Sequence, residues 1–176
     1  MNKADNPGST IKLGGCDWQV LETKDGKALV VSEKILSQRS YHSADEAITW
    51  KHSEMRRYLN GEFYETTFSA EEKGQIAETR IVNNDNRKYN TTGGSDTTDK
   101  VFLLSLDEAE KYFDDNLART TLTKKGEESH WWLRSPGCEQ VTAAYVEYDG
   151  IICYGYGHWS GILSSGGVRP ALWLNQ

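Results

Sequence analysis

Two apolar runs near the start of the chain flank a sequence that is typical of a tight turn. The segment "CDWQVLETKDGKALVVSEKIL" begins at Cys16, and both of its halves are rich in residues that favour strands. Lys24, Asp25 and Gly26 separate the halves, and an Asp-Gly pair adopts the positive φ angles that a two-residue hairpin turn requires. The pattern therefore predicts a β-hairpin as the opening element.

A helical spacing of apolar residues follows in the segment "TWKHSEMRRYLNGEF". The residues that this spacing places on one face are Trp50, Met55, Tyr58, Leu59 and Phe63. Because Asn60-Gly61 is a common C-terminal signal, the sequence predicts a helix that stops there.

Two Ser-x-x-Glu patterns mark the starts of further helices. Ser69 and Glu72 have the spacing of a capping box, which predicts a second short helix that delivers Ile76 to the core. Ser105 and Glu108 repeat the spacing directly after "KVFLLS", an apolar run of strand length. We expect a strand and then a helix, with the apolar helix residues Leu106, Ala109, Tyr112 and Phe113.

The polar segment 83–99, "NNDNRKYNTTGGSDTTD", has Tyr89 as its only sizeable apolar side chain. Such a composition cannot pack a core, so we expect a long surface loop inserted into one domain that spans residues 1–176. Residues 1–10 are expected to be flexible. After a mostly polar connection at 114–130, short apolar pieces punctuated by glycine, proline and Asp-Gly predict a final β region.

Composition narrows the class of protein further. With 176 residues, 37% apolar residues and a net charge of −6, the chain can form one domain and does not favour nucleic-acid binding through phosphate neutralisation. The first residues lack the apolar core of a signal peptide, and no apolar run has the length of a membrane span. Localisation is left open: cytoplasmic or phage-associated by default, or the cell surface if a leader has been removed.

Catalytic and metal-binding motifs are weak. The four histidines are scattered, and the sequence has no HExxH, no GxSxG, no P-loop and no GxGxxG that opens a helix, so we expect no cofactor. Cys16, Cys138 and Cys153 are interpreted as buried free thiols. A catalytic Cys-His pair of Cys138 or Cys153 with His158 remains an alternative. Residues 83–99 offer oxygen ligands for calcium, but their spacing does not match an EF-hand, and a loop that bonds its own backbone is preferred over a metal site.

The C-terminal third has the composition of a recognition surface. From Gly126 to Gln176 there is no lysine, while tyrosine and tryptophan are frequent. Protein-binding surfaces share this bias, because aromatic side chains give rigid contact area at low entropic cost. A buried aromatic core is the alternative, and it is preferred for Trp131, Trp132 and Trp173. The candidate ligand-binding residues are Tyr145, Tyr148, Tyr154, Tyr156, His158, Trp159, Ser160, Ser164 and Ser165.

Backbone alternation adds detail to this prediction. In an extended conformation Tyr154, Tyr156, His158 and Ser160 share one face, while the opposite face carries Trp159 and glycines. Arg134 and Arg169, which follow apolar residues, are predicted to be buried and to donate to backbone carbonyls.

Together these segments carry a family resemblance. The succession of Trp50, "SEMRRYLNGEF", "DKVFLLSLDEAEKY", "WWLRSP" and "GVRPALWL" resembles a widespread bacterial domain family of unknown function, over about Trp18 to Leu174. The closing "GVRPAL" is also similar to the end of the C-type lectin-like fold in relatives of the formylglycine-generating enzyme and in the variable proteins of diversity-generating retroelements.

The resemblance implies an α+β, C-type lectin-like fold with a twisted antiparallel sheet, two main helices, long loops and a ligand surface built from C-terminal strands. The enzyme relatives' catalytic cysteine pair and the lectins' EPN, QPD and WND motifs have no counterpart here. In the variable proteins, adenine-directed mutagenesis randomises exposed positions before the closing motif. The positions that this implies are Tyr145, Tyr148, Tyr154, Tyr156, His158, Ser160, Ser164 and Ser165.

These observations predict a non-catalytic domain that binds a protein or another macromolecular ligand, as the variable protein of a retroelement. Two alternatives remain from the residues alone. One is an enzyme related to the formylglycine-generating proteins, and the other is a structural bacterial or phage component.

Overall fold

A computed structural model describes residues 6–155 and 164–176 of the chain as a mixed α+β fold with mostly antiparallel sheets. The strands are β1 (Thr10–Leu13), β2 (Cys16–Lys24), β3 (Lys27–Ser32), β4 (Ser37–Arg39), β5 (Ile76–Ala77), β6 (Thr79–Ile81), β7 (Thr97–Asp99), β8 (Phe102–Leu103), β9 (Trp131–Pro136), β10 (Ala143–Val146), β11 (Ile152–Cys153), β12 (Gly166–Val168) and β13 (Pro170–Asn175). The helices are α1 (Glu54–Tyr58), α2 (Tyr64–Thr67), α3 (Ala70–Gln75), α4 (Leu106–Tyr112) and α5 (Asn116–Arg119), with a 3₁₀ turn at Trp50–His52 and a π-helical turn at Leu59–Phe63.

The fold has two main sheets, and each combines strands from the N-terminal and the C-terminal parts of the chain. The first has the order β1-β2-β3-β13-β5, and β8 also pairs with β13. The second has the order β11-β10-β9-β12-β4, and its one parallel pair is β9 with β12. β6 and β7 form a small separate ribbon. The expected single twisted sheet is thus divided in two, and short helices take the place of the two expected main helices. β13, the last strand, lies inside its sheet between β3 and β5.

The opening hairpin is confirmed. β2 and β3 are antiparallel, and Lys24 pairs with Lys27 across the turn. Asp25 and Gly26 have φ angles of 51° and 71°, the left-handed conformation that an Asp-Gly turn supplies.

The predicted helix stop at Asn60-Gly61 is confirmed, because Gly61 has non-helical φ and ψ angles of −115° and −106° and separates two helical segments. The chain passes through the π-helical turn with a kink at Gly61 and continues into α2. The Asn60 side chain donates to the Val101 carbonyl at 2.8 Å and accepts from the Lys100 amide at 2.8 Å. These bonds satisfy backbone groups between β7 and β8, far away in the sequence, so Asn60 also joins this kink to the rest of the fold.

Both capping boxes are confirmed. Ser69 caps α3, and Ser105 caps α4, each with reciprocal bonds to the glutamate three residues later. Ile76 is buried, as predicted. The strand predicted in "KVFLLS" is shorter than expected, since only Phe102–Leu103 pairs with β13.

A buried carboxylate joins the first helix to the end of the polar segment. The Asp99 side chain accepts from the Trp50 indole at 2.8 Å, from Arg56 Nε at 2.7 Å and from the Thr97 hydroxyl at 2.7 Å. Asp99 is only 1% exposed, so all three donors stabilise a charge that would otherwise be costly to bury.

The two predicted structural arginines are confirmed as buried and bonded to carbonyls. Arg134 on β9 forms a two-pronged ion pair with Glu108 and donates to the Leu103 carbonyl at 2.8 Å. Arg169, between β12 and β13, donates to the Ser32 carbonyl at 3.0 Å. Its guanidinium lies 5.0 Å from the ring centre of Phe113 and 4.9 Å from that of Trp131, and burial lowers its pKa to about 10.

The hydrophobic core fills the space between the sheets and the helices. Its largest fully buried side chains include Trp18, Trp50, Trp131 and Trp132, which confirms the core assignment of the last two. Trp173 is half-buried, because it lines an open cleft at the end of β13.

Candidate functional site

The polar segment is folded onto the main body by its asparagine and threonine side chains. It begins as a loop, contains β7 at its end, and buries Asn83, Asn86 and Thr91. Asn86 and Thr91 form an isolated bridge, in which the Asn86 amide donates to the Thr91 carbonyl at 2.9 Å. Lys88 and Tyr89 therefore lie at the tip of a closed turn.

The base of this turn is anchored to the end of β9. The Asn86 side-chain amide donates to the carbonyl of Pro136 at 3.0 Å, and the Thr91 hydroxyl donates to the carbonyl of Gly137 at 2.7 Å. All four groups are buried, so these two bonds fix the direction in which Tyr89 leaves the loop.

The same corner holds Tyr154. The Cys138 amide donates to the Tyr154 carbonyl at 2.6 Å. Gly137 is required here, because a Cβ atom at this position would lie 2.4 Å from the Tyr154 carbonyl oxygen. The loop of Tyr89 and the segment of Tyr154, which are distant in sequence, are thus both bonded to the backbone of residues 136–138.

The rings of Tyr89 and Tyr154, which we call the tyrosine pair, lie 5.1 Å apart between centroids at an angle of 56°. Both side chains are half-buried. The Lys88 ammonium lies over both rings, 5.2 Å from the centre of Tyr89 and 4.6 Å from that of Tyr154. The tyrosine pair therefore already binds a cation of its own loop.

A cavity of about 290 Å³ adjoins the tyrosine pair, and we call it the polar cleft. Its lining residues are Asn84, Asp85, Asn86, Arg87, Lys88, Leu106, Asp107, Glu110, Ser135 and Tyr154. Hydrogen bonds from the Gly93 amide and the Thr92 hydroxyl lower the pKa of Asp85 below its ordinary value. The cleft combines an aromatic wall with charges of both signs.

Tyr145 lies in a different aromatic cluster. On β10 its ring contacts His130 at 5.3 Å and Trp132 at 6.0 Å between centroids. Burial lowers the pKa of His130, although Glu147 partly offsets this effect. Ser164, half-buried, and Ser165, exposed, precede Gly166, whose backbone packs directly on His130 and Trp132.

Tyr148 is 54% exposed at the turn between β10 and β11. This turn packs against α5, because Arg119 Nε donates to the Gly150 carbonyl at 2.9 Å. The described candidate residues therefore occupy three neighbourhoods: that of Tyr154, that of Tyr145 with the two serines, and that of Tyr148. Tyr156, His158, Trp159 and Ser160 lie outside the described residues.

The three cysteines are free and half-buried, so the expected full burial is not found. The Cys138 thiol donates to the Gly155 carbonyl at 3.4 Å. Burial raises the pKa of Cys153, which makes its thiol a poor nucleophile at neutral pH. Within 6–155 and 164–176, no three His, Cys, Asp or Glu side chains come together as metal ligands.

Two more clefts contain none of the nine predicted ligand-binding residues. One, of about 440 Å³, lies beside Arg80 and Trp173, and the other, of about 490 Å³, lies beside Arg39 and Tyr58. Among the described helices, none has the length and apolar character needed to cross a membrane.

Sequence reasoning missed Lys88 and Tyr89 as parts of the site. The available signal was a single aromatic side chain in an otherwise polar segment. Its importance depends on Asn86 and Thr91, whose long-range partners no local pattern reveals.

A protein-family model covers most of the chain. Residues 25–176 match the family described as "Domain of unknown function (DUF6273)", and since this match covers most of the chain, the protein belongs to that family. No curated protein and no solved structure matches the chain.

Proposed function

We propose that the chain is a non-catalytic recognition domain with a C-type lectin-like fold, and that the tyrosine pair and polar cleft form part of its ligand surface. The main observation behind this proposal is that the segments of Tyr89 and Tyr154 are both hydrogen-bonded to the backbone at residues 136–138. Two half-exposed rings from distant segments are held 5.1 Å apart by buried backbone bonds. Rigid aromatic side chains beside a polar cleft bind ligands at low entropic cost.

The distribution of the resemblance motifs supports the proposal. Trp50, Arg134 and Arg169 are all buried in the framework, where they bond to Asp99, Glu108 and backbone carbonyls. These residues stabilise the fold and leave the neighbouring surface free to differ. Such a division of roles suits a scaffold that carries an exchangeable binding surface.

Selection of short random peptides on the immobilised chain tests this proposal. We expect peptides that bind the native chain and lose binding to the variant Tyr154→Ser. The matched control is Leu117→Ser, which removes a 78% exposed apolar side chain on α5 and should retain binding. Enrichment of no peptide, or equal binding to all three proteins, would contradict the proposal.

The proposal includes a role as the variable protein of a diversity-generating retroelement. The flanking DNA tests this part separately. A nearby reverse transcriptase gene with a near-copy of the coding region for residues 140–170, differing at adenines, is the expected finding. Flanking DNA without either would remove the retroelement and leave the recognition surface to be judged by its ligands.

A further inference from the structure

The tyrosine pair already contains a bound cation, and this points to the chemistry of its ligand. The Lys88 ammonium lies within 5.2 Å of both ring centres. Two aromatic faces around one ammonium group attract it through the negative charge density of each ring. The Lys88 side chain is exposed and comes from the same closed turn as Tyr89, so it can leave the rings without disturbing the buried anchors at Asn86 and Thr91.

The surroundings favour the same kind of ligand. The polar cleft next to the rings has three carboxylates, those of Asp85, Asp107 and Glu110, against the two cations Arg87 and Lys88. If a second cation replaced Lys88 over the rings, these cleft carboxylates would attract further positive charges of the same ligand. The net charge of −6 on the whole chain acts in the same direction over longer distances.

We propose, on the basis of the recognition function above, that the tyrosine pair binds an alkylammonium group of the ligand, and that Lys88 occupies the rings when the ligand is absent. The ligand is a lysine side chain within a basic peptide segment of a partner protein. The aromatic rings take the ammonium group, and the carboxylates of the polar cleft take the flanking positive charges. Lys88 is then an internal competitor that lowers the apparent affinity.

Titration with defined probes tests this inference. The probes are tetramethylammonium chloride, a short lysine-rich peptide and a glutamate-rich peptide of equal length, and the readout is the NMR shifts of the tyrosine ring protons. The lysine peptide should bind the native chain and shift both rings, and raised salt should weaken it. Tetramethylammonium should shift the same protons but bind more weakly, because it does not engage the carboxylates.

Substitutions separate displacement of Lys88 from a general charge effect. Lys88→Ala should bind the lysine peptide about fivefold more tightly, since the Lys88 ammonium no longer competes for the ring faces. Arg87→Ala is the matched control, because it removes the same charge from the cleft and leaves Lys88 over the rings. Equal gains in both variants would overturn the role of Lys88 as internal competitor.

Ring substitutions then test the aromatic contribution. Tyr154→Phe keeps an aromatic face and should retain the binding of the lysine peptide, whereas Tyr154→Leu should weaken it about fivefold. Tighter binding of tetramethylammonium than of the lysine peptide would overturn the proposal of a peptide ligand. It would indicate a small quaternary ammonium ion as the ligand instead. Preference for the glutamate peptide at the same protons would overturn the cation inference but keep the recognition surface, and no shift with any probe would contradict an ammonium site altogether.

Discussion

The Asn86 side-chain amide donates a hydrogen bond to the Pro136 carbonyl oxygen at 3.0 Å, and both groups are buried. This contact joins the polar loop to the end of β9. Since the backbone of Tyr154 is bonded to Cys138, two residues beyond Pro136, the contact also sets the distance between the tyrosine rings. The geometry of the candidate site thus depends on a buried hydrogen bond beneath its surface.

Asn86→Ala should therefore destabilise both the fold and the site. Removing the donor breaks the buried hydrogen bond to the Pro136 carbonyl, which should lower the free energy of unfolding by about 2 kcal/mol. Urea denaturation measures the loss. Asn84→Ala is the control, because Asn84 is exposed, and it should cost below about 0.5 kcal/mol. Equal losses would show that the anchor does not stabilise the loop.

Asp99→Asn should be strongly destabilising. The buried carboxylate pairs with Arg56 and accepts the Trp50 indole, and loss of its charge should cost about 3 kcal/mol. Asp96→Asn makes the same chemical change at a carboxylate whose partner, Arg80, is 78% exposed, so it should cost below about 1 kcal/mol. Thermal and urea unfolding of the two variants give the comparison, and similar stabilities would argue against a buried ion pair at Asp99.

Stability should fall as the pH drops below the ordinary His130 pKa of 6.5. Burial lowers the pKa of His130 in the folded state, so below 6.5 the unfolded chain takes up a proton that the folded chain does not. The contribution is fully present above 6.5 and is lost as the pH falls toward the folded value. Urea unfolding at several pH values should give a smaller slope for His130→Gln in this window. An unchanged slope would exclude His130 as its source.

The Cys153 thiol should react slowly in the folded protein. Burial raises its pKa above the ordinary value of 9.0, so little thiolate exists at neutral pH. Iodoacetamide labelling at about pH 8, read by mass spectrometry of the Cys153 peptide, should be slower in the native than in the urea-unfolded chain. Faster labelling in the native chain would reveal an activated thiol and favour the enzyme alternative.

Local signals predicted the parts of the fold that local bonds determine. The turn at Asp25-Gly26 and the helix starts at Ser69 and Ser105 depend on residues within three positions of one another, and all are confirmed. The Asn60 side chain, by contrast, bonds to Lys100 and Val101, and a local pattern does not reveal these distant partners.

The candidate site was predictable only in part for the same reason. The composition of the C-terminal third pointed to Tyr154, but Tyr89 reaches it through bonds that run from Asn86 and Thr91 to Pro136 and Gly137. Alternation along the extended segment had grouped Tyr154 with residues outside those that the structure describes. Among the described residues, the aromatic side chain that contacts Tyr154 is Tyr89, which comes from the polar segment.

If the tyrosine pair is a recognition surface, the residues that stabilise the fold differ from those that bind the ligand. The double variant Tyr89→Ser, Tyr154→Ser tests this directly, with its free energy of unfolding and its affinity for a peptide selected on the native chain measured on the same sample. We predict a stability loss below about 2 kcal/mol, as expected for one half-exposed aromatic pair, together with loss of peptide binding. A folded variant that still binds the peptide, or a variant that does not fold at all, would contradict the separation of framework and surface.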